Sequence, residues 1–148
     1  MEFVHEMTAY LENKPGRLAK ICSALASEKI DIRALSVMDT AERSVLRFVT
    51  DSLEPTKKVM NALGTEFEVA EVLAVEMDNR PGALARILER LAEEHINIEY
   101  AYASSSTSPS KSLGIFQVSN PKRALQILTE SAANGLDRPG GRRPLHSR

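Results

Sequence analysis

The sequence lacks most features of metal-binding, secreted and membrane proteins. Cys22 is the only cysteine among 148 residues, so the chain can form neither an internal disulfide nor a site of several cysteine ligands. Such cysteine usage suits a reducing cytosol. No basic start precedes an apolar segment of signal-peptide length, and no aliphatic run is long enough to cross a bilayer. We therefore expect a cytoplasmic protein with no membrane partner.

Excess charge of one sign is also absent. The formal net charge is −1 at pH 7, which gives no strong field toward nucleic acid or a membrane surface. The basic residues are concentrated at the end: residues 135–148 carry four Arg and one Asp, a local charge of +3. A basic tail can bind nucleic acid or an acidic protein face, but this Gly- and Pro-rich composition favours a disordered, solvated end. We expect no nucleic-acid partner.

Recognisable catalytic motifs are missing as well. The sequence has no phosphate-binding loop, no G-x-G-x-x-G and no recurring group of nucleophile, base and orienting acid. The three histidines, His5, His95 and His146, do not share metal-ligand spacing. We therefore predict no catalytic residues, no metal site and no cofactor.

The most informative feature that is present is an internal repeat. Residues 13–32 recur 66 positions later as residues 79–98, and eleven of the twenty aligned residues are identical. Unrelated segments would share about one identity at average residue frequencies. Two long copies indicate a duplicated small domain, because a solenoid needs three or more short units. Each copy alone would bury only about 60% of its unfolded surface, so we expect the copies to stabilise each other.

Hydrophobic periodicity predicts the same order of elements in both copies: strand, helix, hairpin, helix, strand. This βαββαβ order is the ferredoxin-like plan, an α+β fold with antiparallel sheets and the helices on one face. In the first copy the predicted strands and helices cover residues 3–11, 15–28, 30–38, 44–51, 55–63 and 67–70. In the second copy they cover residues 73–77, 81–91, 96–103, 113–118 and 121–133.

The junction between the copies and the end of the second copy depart from this plan. Residues 67–77 must serve as the last strand of one copy and the first strand of the next, with no linker. Pro121 lies 66 positions after Pro55, which predicts that the repeat keeps its register into the last helix. No apolar alternation follows that helix, so a final strand is not predicted. We expect two domains, at residues 1–70 and 71–134, followed by a disordered tail at residues 135–148.

The best-conserved part of the repeat is a Pro-Gly turn before a helix. Proline suits a first helical position, so we expect the helices to begin at Pro15 and Pro81, with Gly16 and Gly82 in their first turns. A carboxylate could approach the free N–H groups there without meeting a Cβ. Acceptors for an ammonium group lie nearby in sequence: Glu12, Asn13, Asp31, Asp78, Asn79 and Asn97. Such turns also serve simply to connect a strand to a helix, and the residues alone do not decide between the two.

These residues resemble a known family. An N-x-P-G-x-L-A-x-I turn and helix, followed by I-[DN]-I within a βαββαβ unit, is similar to the ACT domain, a small regulatory module that binds amino acids in many metabolic enzymes. The two copies together resemble the small stand-alone tandem ACT-domain proteins of bacteria and archaea.

The resemblance implies where a ligand would bind. ACT domains pair through their second strands, and the ligand lies between the Pro-Gly turn of one domain and the second strand of its neighbour. Transferred to this sequence, the first set of ligand-binding residues is Asn13, Gly16, Arg17, Leu18 and Ile32. The second set is Asn79, Gly82, Ala83, Leu84 and Ile98. The two sites would differ in charge, because Arg17 aligns with Ala83.

The leading hypothesis is a non-catalytic regulatory module, a homodimer that binds a small amino acid and serves a metabolic enzyme. The alternative is an oligomerisation or docking module for such an enzyme, with a vestigial ligand site. A small catalyst on the same fold is the third hypothesis. Tyr100 and Tyr102 share one strand face and align with Ala34 and Ser36. They would pack in the core or shape the second pocket for a larger side chain.

Overall fold

The computed structural model describes residues 1–133. Among these residues, no helix is both long and apolar enough to cross a membrane. The described elements, in chain order, are β1 (Glu2–Leu11), α1 (Arg17–Ser27), β2 (Ile32–Asp39), β3 (Ser44–Thr50), α2 (Leu53–Ala62), β4 (Phe67–Asp78), α3 (Ala83–Glu93), β5 (Ile98–Ser105), β6 (Lys111–Val118) and α4 (Pro121–Ala133). The predicted tail lies outside the described residues, as does the question of a final strand after α4.

All six strands form one antiparallel sheet in the order β2-β3-β1-β4-β6-β5. The first four strands of this order have the arrangement of a ferredoxin-like unit, and β4, β6 and β5 repeat it. The predicted α+β fold class is therefore confirmed. We refer to β1 to α2 as the first half and to α3 to α4 as the second half, and β4 completes the sheet of both halves.

Strand β4 joins the halves without a linker, as predicted. It is continuous from Phe67 to Asp78, and at about 3.3 Å per residue it spans about 36 Å. Its residues 67–74 pair with β1, and its residues 73–78 pair with β6. The expected domain boundary, between residues 70 and 71, falls inside this strand. The halves are thus connected by a hydrogen-bonded strand and not by a linker.

Two apolar cores lie between the sheet and its helices. The first half buries Met7, Leu25, Phe48 and Met60 at its centre. The second half has a separate core with the same plan, centred on Leu73, Leu91, Phe116 and Ile127. Each large apolar side chain contributes about 1.5–3 kcal/mol on full burial, so each half has its own source of stability.

A third core lies on the face of the sheet that carries no helices. Its buried members come from β2, β3, β4 and β6: Ala34, Val49, Val72, Ala74, Leu113 and Ile115. The end strands β2 and β5 approach within 8 Å between Cα atoms, whereas five strand spacings would hold them about 24 Å apart in a flat sheet. The sheet therefore curls, and its helix-free face becomes a concave face that encloses this third core.

The expected equivalence of Pro55 and Pro121 is wrong. Pro121 is the first residue of α4, whereas Pro55 is the third residue of α2. Pairing within the hairpins shows why: Leu35 pairs with Phe48, and the aligned Ala101 pairs with Phe116, an offset of 68 between the two phenylalanines. The hairpin loop of the second half is therefore two residues longer, and the match of the prolines at 66 is coincidental.

The offset of 68 continues into the last helices. The fully buried Thr56 and Met60 of α2 correspond at this offset to the buried Ala124 and Leu128 of α4. Burial on one side of each helix fixes this register more firmly than the prolines do. Helix α2 ends just before a glycine, since Gly64 follows the C-cap residue with φ of +66°.

Candidate functional site

The two Pro-Gly turns have the same unusual backbone geometry. Gly16 and Gly82 are the N-cap residues of α1 and α3, with φ of +86° and +88°. The helices therefore begin at Arg17 and Ala83, two residues later than predicted, and neither glycine lies in a helical first turn. Glycine is required here because a left-handed φ is strained for residues with a Cβ.

Both turns are open to solvent. A Cβ on Gly16 or Gly82 would have no atom within 4 Å, so the space beside each glycine is empty. A glycine N-cap has no side chain to accept hydrogen bonds from the N–H groups of the first helical turn. The N–H groups of Arg17 and Ala83 already donate to the carbonyls of Lys14 and Arg80, at 3.4 and 3.3 Å. The donors available to a ligand at each exposed N-terminus are therefore the following N–H groups of the first turn, at the positive end of a helix dipole.

Each turn lies beside the hairpin loop of its own half. Asn13 Nδ2 donates to Asp39 Oδ1 at 3.4 Å. In the second half the backbone N–H of Asn79 donates to the carbonyl of Ser110 at 2.8 Å. The longer second loop forms an open recess of about 610 Å³ lined by Asn79, Lys111 and loop residues that include Ser106. The two turns therefore have different surroundings.

The acidic residues before the turns are already paired within the chain. The Glu12 carboxylate lies 3.0 Å from Lys14 Nζ and 3.3 Å from Arg17 Nη2. The hydrogen bond from Lys14 is the main cause that lowers the pKa of Glu12. Glu12, expected as an acceptor for a ligand's ammonium group, is thus engaged by its own chain.

Asp78, the corresponding acidic residue before the second turn, is engaged in the same way. It pairs with Lys111 and lies 3.5 Å from Arg80 Nε. A hydrogen bond from Lys111 is the main cause that lowers its pKa. An ammonium group at either turn would have to compete with these pairs or use an amide or backbone oxygen.

The leucines of both predicted sets are exposed. Leu18 retains 36% of its accessible surface and Leu84 retains 45%, although their helices bury other apolar residues. On β2, Leu35 and Val37 are also exposed, and they lie on the helix-bearing face because their strand partners are core residues of the first half. The outer end of the first half is therefore apolar and accessible.

The structure does not bring every predicted site residue together within one half. Asn13, Gly16, Arg17 and Leu18 adjoin one another, as do their counterparts in the second half. Ile32 and Ile98, however, begin strands β2 and β5, and the turns lie at the other ends of those strands, about 23 Å away along eight residues. A site that combines turn and strand would need contributions from two different halves or chains.

A buried polar cluster on the concave face was missed at the sequence level. Glu6 of β1 is fully buried, and its carboxylate accepts hydrogen bonds from the hydroxyl groups of Tyr100 and Tyr102 on β5. The Tyr102 bond to Oε2 is 2.6 Å long. Arg47 of β3 lies over the Tyr100 ring, with its guanidinium carbon 4.0 Å from the ring centroid. We call these four residues the Glu6 cluster.

The environment of the Glu6 cluster favours neutral tyrosines. Burial raises the pKa of Tyr100 and Tyr102, and the hydrogen bonds to Glu6 raise both further. The positive charge of Arg47 lowers the pKa of both phenols and so partly offsets these effects.

Within residues 1–133, Arg47 Nε and Gln117 Oε1 are buried without a hydrogen-bond partner. The same described range contains no group of three His, Cys, Asp or Glu residues placed to hold a metal ion.

Comparison with known proteins identifies the family. A sequence model of the ACT domain pair matches residues 2–136. The chain belongs to the ACT domain pair family. The predicted membership is therefore confirmed over almost the whole described structure. A search of curated proteins found no match.

Solved structures share the fold of this ACT domain pair. Protein BT0572 from Bacteroides thetaiotaomicron is 27% identical, with a TM-score of 0.80 over 88% of this chain and 89% of that chain. The ligand-free regulatory subunit of aspartate kinase from Thermus thermophilus is 18% identical, with a TM-score of 0.64 over 87% of this chain and 94% of that chain. E. coli aspartokinase III in complex with lysine and aspartate is 19% identical, with a TM-score of 0.58 over 90% of this chain and 31% of that chain.

Proposed function

We propose that this protein is a non-catalytic regulatory protein that binds a small amino acid at its Pro-Gly turns. The observation that carries the proposal is the duplicated left-handed glycine at an uncapped, exposed helix N-terminus. A ligand carboxylate can approach the first-turn N–H groups there, because no Cβ or neighbouring atom fills the space. Membership in the ACT domain pair family supports an amino acid as the anion.

A complete site requires a second surface beside each turn. Leu18 and Leu84 are exposed at the turns, and Ile32 and Ile98 lie too far along their strands to cover the turns of their own halves. We propose that a second copy of the chain covers the turns in a homodimer, so that a ligand is enclosed between the turn of one domain and the second strand of its neighbour. A bound ligand would then stabilise this pairing and report amino-acid concentration to a partner.

The partner we propose is a metabolic enzyme. The related folds include a regulatory subunit of aspartate kinase and an aspartokinase crystallised with lysine and aspartate. Lysine and aspartate are therefore natural first ligands to test, alongside the other amino acids. Ala83 stands at the second turn in place of Arg17, but Lys111 pairs there with Asp78 as Arg17 pairs with Glu12, so we expect net charge to distinguish the ligands of the two turns little.

Thermal unfolding in the presence of each amino acid tests the proposal. A ligand at 100 times its dissociation constant adds about 2.7 kcal/mol to the native state, which raises the melting temperature by several degrees. We expect at least one amino acid to produce this shift at millimolar concentration. Absence of a shift with every amino acid would contradict the proposal.

The variants Gly16→Ala and Gly82→Ala then show which of the two turns is responsible for the ligand-induced shift in melting temperature. Gly64→Ala is the matched control, because Gly64 has a similar left-handed φ of +66° but follows the C-terminus of α2, where no helix N–H groups are presented to a ligand. All three variants should lose a similar amount of stability, about 1–2 kcal/mol for a side chain in the left-handed conformation. Only a variant at a functional turn should also lose the ligand-induced shift.

The second candidate function is a docking module whose ligand site is vestigial. The apolar surface of Leu18, Leu35 and Val37 at the outer end of the first half favours it. Val37→Lys should then change the molar mass in light scattering or abolish enzyme binding. Assembly that depends on Val37, together with no response to any amino acid, would favour the docking module over the regulatory protein.

A further inference from the structure

The Glu6 cluster is made from positions at which the two halves differ. Strands β1 and β4, and likewise β2 and β5, align at an offset of 66, whereas β3 and β6 align at 68. The counterparts are therefore Val72 for Glu6, Ile115 for Arg47, Ala34 for Tyr100 and Ser36 for Tyr102. Each polar member of the cluster is matched in the other half by an apolar or small residue.

This difference makes contact between unlike halves favourable. Glu6 and Arg47 come from the first half, and the two tyrosines come from β5 of the second half. When the two halves of one chain pack together, the buried Glu6 carboxylate accepts hydrogen bonds from two hydroxyl groups, and the Arg47 guanidinium lies over the Tyr100 ring. A buried carboxylate is tolerated when it is hydrogen-bonded in this way.

Contact between like halves would leave the same groups unpaired. Two first halves facing each other would bury two Glu6 carboxylates opposite Ala34 and Ser36, which offer one hydroxyl in place of two phenols. Two second halves would bury four phenols opposite Val72 and Ile115, which offer no acceptor. A buried charge or hydroxyl without a partner is costly, so both arrangements are disfavoured.

We propose that the Glu6 cluster selects the pairing partner of each half. It holds β5 against the concave face of the first half and prevents two copies of the chain from opening and packing like half on like half. The concave face of the first half is then an internal surface that packs only against the second half of such a chain. A second copy of the chain must bind at the outer strands or at the helices.

Removal of single hydroxyl groups tests the hydrogen bonds with little change in volume. Tyr102→Phe should lower the melting temperature by about 5 °C or more, because the lost bond is to a buried charged group. Tyr10→Phe is the matched control: Tyr10 also donates to a carboxylate, that of Glu68 at 3.3 Å, but at an exposed position. Its melting temperature should change by less than about 2 °C.

A variant with an apolar cluster tests whether the polar groups select the pairing partner of each half, because its stability should be retained. Glu6→Met, Arg47→Met, Tyr100→Phe and Tyr102→Phe, combined in one chain, remove every polar group of the cluster while keeping similar volumes. Replacement of a buried ionic group by well-packed apolar residues is often neutral or stabilising. We expect the melting temperature of this variant to equal or exceed that of Tyr102→Phe.

The selectivity of pairing between halves is tested by the molar mass, measured by light scattering after size-exclusion chromatography over a wide range of protein concentration. We expect the apolar variant to form additional species of higher molar mass that increase with concentration. Mixing two differently labelled preparations after brief partial unfolding should give more energy transfer between chains for this variant than for the wild-type protein, in which any transfer comes from the proposed homodimer. The same molar masses as the wild-type protein, with no more energy transfer than the wild-type protein gives, would overturn the proposal, as would a Tyr102→Phe variant no less stable than Tyr10→Phe.

Discussion

Leu35 and Phe48 are cross-strand partners on the same face of the sheet, yet Phe48 is fully buried and Leu35 retains 36% of its accessible surface. The difference arises because β2 is an end strand. The helices cover β3 and leave the outer strand partly uncovered. One strand pair thus contains a residue that stabilises the core and a residue that is available to a partner.

We predict a large loss of stability for alanine at Phe48 and a smaller loss for alanine at Leu35. Phe48→Ala should lower the free energy of unfolding by about 3–5 kcal/mol, because it leaves a cavity in the first core. Leu35→Ala should lower it by only about 1–1.5 kcal/mol in the monomeric chain, because Leu35 is partly exposed and its removal leaves no enclosed cavity. Urea unfolding measures both. A large loss for Leu35→Ala that depends on protein concentration would show that the residue is buried between copies.

Gly114→Ala should destabilise the second half. A Cβ on Gly114 would lie 2.6 Å from Cε2 of Phe116 and 3.0 Å from Cε of Met77, both in the second core. The overpacking should cost about 1–3 kcal/mol in the free energy of unfolding. Phe116→Leu in the same chain shortens the opposing side chain, so the double variant should lose less than the sum of the single losses. Additive losses would show that Phe116 is not the obstacle.

Lys111→Met should raise the pKa of Asp78 toward its ordinary value, because the hydrogen bond from Lys111 is the main cause of its lowered pKa. Arg80→Met should raise it less, since its electrostatic effect is smaller than that of Lys111. A carboxyl group with a lowered folded-state pKa stabilises the protein above the unfolded pKa, and this contribution disappears as pH falls through the folded value. NMR titration of the Asp78 carboxyl carbon measures the shift. Equal effects of the two variants would contradict this ranking.

Alkaline pH should unfold the protein through Tyr100 and Tyr102. Their pKa values are raised in the folded state, so their contribution to stability is fully present below about pH 10, the unfolded value, and is lost as pH rises above it. We expect the phenolate absorbance of both tyrosines to appear together with the loss of circular dichroism. Glu6→Gln should allow these phenols to ionise at lower pH, because it removes the negative charge beside them. Ionisation of both phenols in the folded protein would contradict the prediction.

Much of the fold could be predicted because its determinants are local or periodic. Apolar alternation located the strand that became β4, and the repeated Pro-Gly turn located the starts of α1 and α3 to within two residues. The exact starts depend on the φ of Gly16 and Gly82, which residue types alone do not specify. The register of the last helices was wrong because two loop residues were added in the second hairpin, where the sequence has no apolar pattern to align.

The Glu6 cluster could not be predicted for a different reason. Alternation along β1 places Glu6 on the face opposite Met7, and that face is exposed to solvent in a flat sheet with helices on one side. Only the curl of the sheet encloses it, and curl depends on twist summed over six strands. The one available signal was the pair Tyr100 and Tyr102, which have no aromatic counterparts in the first half.

The shared strand β4 also constrains how this gene can change. Leu73 and Ala74 pair with β1 on one side and with β6 on the other, so both halves use the same two residues to complete their sheets. A break in the gene anywhere along β4 would leave one product without part of its strand and the other with an open edge prone to aggregation. The duplication therefore cannot be reversed by simple fission. The copies have instead diverged within one chain, as Glu6 and Val72 illustrate.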